Sequence, residues 1–142
     1  MRLATLAFSL LLTACPAPTT AGPAPSGTTP AASAEKGSVS EVDIATFAKK
    51  KEAGEVPLVV DVRTDDEYAA GHVAGTVHIP LDQIGSRLAE LESHKDQPVY
   101  VICQSGARSA RASKILAADG YQAVNVQGGT GGWIAAGHPV EK

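Results

Sequence analysis

Pro98-Val99-Tyr100-Val101-Ile102-Cys103-Gln104-Ser105-Gly106-Ala107-Arg108-Ser109 decides how this chain is read. The first five residues are rich in β-branched and aromatic side chains with no polar alternation, the mark of a strand buried on both faces of a parallel sheet. Polar and glycine-containing residues follow at once. A helix is expected from about Ser109, with Ala112, Ile115, Leu116 and Ala118 as its packing face and Gly120 where a left-handed cap belongs. Cys103 therefore sits at the carboxyl end of a strand, where ligand sites of open α/β sheets gather. Successive backbone N–H groups of such a loop, and the positive end of the helix dipole, stabilise an anionic sulfur. Arg108 and Arg111 are near enough in sequence to add full positive charge. The expected shift is toward thiolate, the nucleophilic form. Gly106 suits a tight curl that needs a positive φ or leaves room for substrate. The other common fate of such a cysteine is to be a small buried hydrophobe ending a strand.

On both sides of this stretch, strand and helix alternate. Ser40-Glu41-Val42-Asp43 has the form of a capping box, and Ile44, Phe47 and Ala48 follow at helical spacing until Gly54. Leu58-Val59-Val60-Asp61-Val62 reads as a second buried strand. Asp65-Asp66-Glu67 gives a turn or short helix, and Val77-His78-Ile79 a short strand stopped by Pro80. Ile84, Leu88 and Leu91 mark a helix starting near Asp82. Val124 to Val126 is a further strand, followed by Gly128-Gly129, a helix around Trp133 and a closing Gly137-His138-Pro139. This order favours a largely parallel sheet with helices on both faces, an α/β fold.

The chain has 142 residues, 44% apolar and 19% charged, with a net charge of −3. Residues 3–12 form an apolar run behind Arg2, shorter than the ~18 residues that span a bilayer, and read as a secretory signal. Its end, Leu12-Thr13-Ala14-Cys15, resembles the lipobox of bacterial lipoproteins, which implies acylation of Cys15. Residues 16–36 are dense in Pro, Ala, Thr, Gly and Ser and cannot bury enough apolar surface to offset their ordering entropy, so a flexible tether is expected. The organisation is then a signal peptide over 1–14, a lipidated Cys15 with linker over 15–37, and a single domain over 38–142. Roughly 105 residues suit one core and are too few for two. The balance of charge offers no nucleic-acid groove. With Cys15 acylated, Cys103 has no partner inside the chain, and a lone thiol kept in an oxidising compartment points to use.

Cys103-Gln-Ser-Gly-Ala-Arg-Ser109 resembles the active-site loop of rhodanese-type sulfurtransferases, C-x-x-G-x-R-S. Leu58-Val-Val-Asp-Val-Arg63, Glu67-Tyr68, Gly71-His72-Val73-Ala74-Gly75 and His78-Ile79-Pro80 resemble the family's first signature. Gly120-Tyr121, Asn125-Val126, Gly128-Gly129, Trp133 and Gly137-His138-Pro139-Val140 follow its C-terminal half. Thr130 stands where an apolar residue is expected. The resemblance implies a rhodanese-like three-layer fold. It also implies a persulfide mechanism: the Cys103 thiolate takes sulfur from a donor such as thiosulfate and passes it to a thiophilic acceptor. The backbone N–H groups of Gln104, Ser105, Gly106, Ala107, Arg108 and Ser109 would cradle the anion. No metal or cofactor is expected.

Asp61, Arg63 and Arg111 are expected to support the loop. Arg108 is expected either to touch substrate or to shape the loop by pairing with an acid such as Asp61. Arg63 and Glu67 are expected to form an i, i+4 ion pair, and His72 to stabilise a turn. Phosphatases and arsenate reductases of related architecture resemble C-x5-R, one residue longer than the interval from Cys103 to Arg108. A lipid-anchored module that binds a thiol or partner without turnover is a further alternative, and a thiol-disulfide exchanger lacks the second cysteine of a C-x-x-C pair. The expected setting is a monomer in the cell envelope, facing the periplasm, with the outer membrane favoured.

Overall fold

The structure, a computed structural model, describes residues 37–142. The expected signal, Cys15 and the tether over 16–36 lie outside the described residues. Five parallel strands form one sheet: β1 Val39–Val42, β2 Leu58–Asp61, β3 Thr76–His78, β4 Pro98–Ile102 and β5 Gln122–Val126, in the order β1-β5-β4-β2-β3. The helices are α1 Ile44–Glu52, α2 Asp65–Ala70, α3 Ala107–Ala118 and α4 Gly129–Ala135, with a 3-10 segment at Leu88–His94.

The central strand shows why three layers form. Side chains of a strand alternate between faces, so Val99, Val101 and Cys103 point to the layer of α3 and the 3-10 segment. There they pack with Leu58, Val60, Ile84, Leu91, Ala112 and Leu116. Tyr100 and Ile102 point the other way, against Phe47, Ala48 and Trp133 of α1 and α4. A strand covered on both faces has to be apolar throughout. The expected α/β architecture, with helices on both faces of a parallel sheet, is the one that forms.

Three local expectations are corrected. Ser40 does not cap a helix; it lies in β1, which pairs with β5 through Ser40 against Val124. The cap is Asp43, whose Oδ1 accepts the Thr46 N–H at 2.9 Å. Tertiary pairing with β5 decides residues 39–42, and the capping pattern begins one strand later. The helix expected from Asp82 is instead a series of tight turns, with Gln83 N–H donating to the Pro80 carbonyl and Ser86 N–H to that of Gln83, before the 3-10 segment. Gly85-Ser86 is a weak helical pair, and i to i+3 bonding still buries Ile84 and Leu91. In α3 the buried face is Ser109, Ala112, Ser113 and Leu116. Ile115 and Ala118 are exposed.

Candidate active site

β4 delivers Cys103 to the carboxyl edge of the sheet, and the chain curls before α3 begins at Ala107. The curl turns on Gly106, whose φ of +107° is a conformation that side-chain-bearing residues rarely adopt. That geometry aims the Gly106 N–H at the Cys103 Sγ, 3.1 Å away. The Ser109 hydroxyl lies 3.4 Å from the same sulfur. Cys103 is buried, and Gln104, Ser105 and Ala107 rim the loop exposed. Burial alone pushes the Cys103 thiol up, and it is the largest single influence. The Ser109 hydroxyl and the N–H groups of Ser109, Gly106 and Ser105 together outweigh it, so the thiol stands below its ordinary value.

The N–H groups can face inward because two carbonyls of the loop are bonded elsewhere. The Cys103 carbonyl accepts the Thr130 N–H at 2.7 Å, and the Gln104 carbonyl accepts the Gly131 N–H at 3.0 Å. Both donors belong to the first turn of α4, whose N–H groups have no partner within their own helix. Gly129, at φ +56°, lies so close that a methyl there would overlap the Cys103 carbonyl oxygen. Thr130 is fully buried at the position where an apolar residue was expected, and its hydroxyl has no hydrogen-bond partner among the described residues.

The charged residues sort differently from the sequence expectation. Arg63 pairs with Asp61, not with Glu67: its Nε lies 3.0 Å from both Asp61 oxygens, its Nη2 lies 2.8 Å from Oδ2, and Nη2 also donates to the Gly71 carbonyl. Both partners are buried, and the fork geometry with backbone support is what a desolvated pair needs. Asp61 is thereby taken. Arg108 turns to Glu67 instead, with Nη1 and Nη2 each 2.7 Å from a carboxylate oxygen. This pair holds the Glu67 carboxyl at about 2, with the Arg108 hydrogen bonds the largest cause. Of the expected supporting residues, Asp61 and Arg63 brace the end of β2 together. Arg111 is exposed on the wall of a cleft of about 340 Å³ that includes Val62, Leu81, Arg108 and Ile115. The charge expected from Arg108 is compensated by Glu67, and the sulfur is stabilised by hydrogen bonds.

A second cleft, about 220 Å³, is lined by Gln104 of the loop together with Glu67, Ile134 and Val140. His72 stacks on Tyr68 with ring centroids 3.8 Å apart, and its Nδ1 lies 3.1 Å from the Tyr68 carbonyl. That is the turn-stabilising placement expected of it. Sequence reasoning missed Glu67 as the partner of Arg108, the grip of α4 on the loop, and the placement of Asn125 2.6 Å from the Ser109 hydroxyl. Glu67, Gly129 and Asn125 all lie in stretches already singled out, but spacing does not name partners far apart in sequence.

Comparison with known proteins agrees with this geometry. The chain is 34% identical over 103 residues to a sulfurtransferase of Allochromatium vinosum, covering 72% of this chain and 94% of that protein. It is 37% identical over 70 residues to the thiosulfate sulfurtransferase PspE of Escherichia coli, covering 49% and 67%. Another curated relative is longer, and the chain spans 51% of it. The crystal structure of a rhodanese-related protein from Thermoplasma volcanium superposes with a TM-score of 0.65 at 32% identity, covering 72% of this chain and 97% of that one. The family model described as the rhodanese-like domain matches residues 43–136, from the cap of α1 to the end of α4, so the parallel sheet and the cysteine loop described above belong to a member of the rhodanese-like family.

Proposed function

We propose that this domain is a sulfurtransferase that carries sulfane sulfur as a persulfide on Cys103. The observation that carries the reading is the buried Sγ at the head of α3, with the Gly106 N–H at 3.1 Å and its thiol below the ordinary value. The thiolate attacks the outer sulfur of thiosulfate, the S–S bond to the sulfonate breaks, and sulfite leaves with that bond's electron pair. Cys103 then bears a terminal sulfur with one negative charge. An acceptor such as cyanide attacks that sulfur, the electron pair returns to Cys103, and thiocyanate departs. The cradle must hold an anion at both stages, and fixed N–H groups of Gln104 to Ser109 do so without reorganising.

Two features support sulfur over phosphate as the transferred group. Four residues separate Cys103 from Arg108, and the Arg108 guanidinium is engaged by Glu67 instead of standing over the sulfur. The donor and acceptor are proposed to be small molecules or protein thiols, reached by a monomer. The lipobox-like segment ending at Cys15 supports a lipid anchor in the envelope, facing the periplasm.

The test is intact mass. With thiosulfate the protein should gain one sulfur atom, cyanide should remove it with release of thiocyanate, and Cys103→Ser should show neither. Turnover by the serine variant, or aryl-phosphate hydrolysis by the unmodified protein at rates rivalling sulfur transfer, would overturn the assignment. Binding of a thiol without any mass gain would favour the non-catalytic module.

A further inference from the structure

Behind the Cys103 loop, polar side chains run from the buried sulfur to the edge of the sheet. Ser109 is fully buried, and its hydroxyl has one proton to give. Three acceptors surround it: Cys103 Sγ at 3.4 Å, the Gly106 carbonyl at 3.0 Å and Asn125 Oδ1 at 2.6 Å. Asn125 is itself buried on β5, and its Nδ2 donates to Glu41 Oε1 at 3.1 Å. Glu41 stands directly opposite Asn125 on β1. Its other oxygen, Oε2, accepts from Gln127 Nε2 at 2.6 Å.

The chemistry of these groups fixes the direction of the chain. An ionised carboxylate only accepts hydrogen bonds, so Asn125 has to show Glu41 its NH2 end. The carbonyl end is then forced toward Ser109. A carbonyl oxygen also only accepts, so a 2.6 Å contact there requires the Ser109 hydroxyl to donate. We propose that Glu41 is a positioning residue for the sulfur chemistry: by orienting Asn125, it draws the Ser109 proton toward the Asn125 oxygen at 2.6 Å and weakens the bond that this hydroxyl gives Cys103 Sγ at 3.4 Å. This rests on Cys103 being the nucleophile. A thiolate with one weakened donor is more basic and a better attacking group. The residue that sets this is exposed, on an edge strand, two strands away from β4.

Glu41→Gln reverses the orientation. Gln127 keeps its acceptor on the new amide oxygen, which leaves the NH2 of the substituted side chain facing Asn125. Asn125 then turns its oxygen outward and its NH2 toward Ser109, and the Ser109 proton is free for the sulfur.

The experiment follows iodoacetamide labelling of the full chain against pH, read by mass spectrometry on the peptide carrying Cys103. The wild type, Glu41→Gln, Ser109→Ala and the double variant are compared. The Glu41→Gln midpoint is expected to fall by about one pH unit, a tenfold change in the thiol equilibrium, and the double variant should lose that fall. Removing a negative charge also favours thiolate, but it does so whether or not the Ser109 hydroxyl is present. A shift that survives in the double variant therefore overturns the proposal, and so does no shift in Glu41→Gln. A second readout needs only the single variant: nuclear Overhauser contacts of the Asn125 side-chain NH2 should move from Glu41 to Ser109, and their staying in place overturns it equally. Labelling uses no sulfur donor. Failure of the persulfide reading appears separately, as absence of mass gain with thiosulfate in the wild type.

Discussion

Glu67 does two things through one carboxylate. It completes the cap of α2, accepting from the Thr64 N–H at 3.2 Å, and it holds the Arg108 fork. Its acidity makes this testable. The folded carboxyl titrates at about 2 against 4.5 for the free group. As pH falls through that window the unfolded chain takes up the proton first, so the contribution is present above about 4.5 and is gone once pH passes below about 2. Both side chains are one-third exposed, so solvent screening reduces the pair to about 1 kcal/mol. Glu67→Gln is expected to be less stable than wild type by that amount at neutral pH, with the difference closing across the acid window. Urea midpoints at a series of pH values measure it. The acid and the arginine are each visible in the sequence, but their pairing is not, because they lie 41 positions apart.

Among the elements, the cysteine loop is shaped by α4 as much as by α3. The first N–H groups of α4 take the Cys103 and Gln104 carbonyls, and this is possible only because Gly129 comes close with φ +56°. Gly129→Ala forces a left-handed alanine, costing about 1–2 kcal/mol, and pushes the Cys103 carbonyl aside as well. A total loss of about 3 kcal/mol is expected, of the size that strained backbone sites reach. Cys103 should also label more slowly at neutral pH, because its N–H donors lose their aim. Denaturant melts and iodoacetamide rates check the two parts. The double glycine at 128 and 129 is legible in the sequence as a special backbone, and what it approaches is not. The same limit explains β1, where Val-Ser-Glu-Val carries too little pattern to be read as a strand until β5 lies beside it.

For the whole molecule, the expected lipid anchor predicts that the native protein partitions into detergent with an acylated first residue at Cys15, and that Cys15→Ser releases or misprocesses it. A mature chain that begins elsewhere, unmodified and free in the soluble envelope fraction, would refute the anchor. Within the folded part, the alternation of strands and helices, the two buried central strands and the cysteine loop are legible along the chain, because each is written in neighbouring residues. Apolar runs, turn glycines and the interval from Cys103 to Arg108 act locally. Folding alone sets which arginine meets which carboxylate, how α4 fixes the loop carbonyls, and how Asn125 and Glu41 stand in line behind Ser109. Those contacts join segments distant along the chain. The order β1-β5-β4-β2-β3 brings them together, and no periodicity along the chain encodes that order.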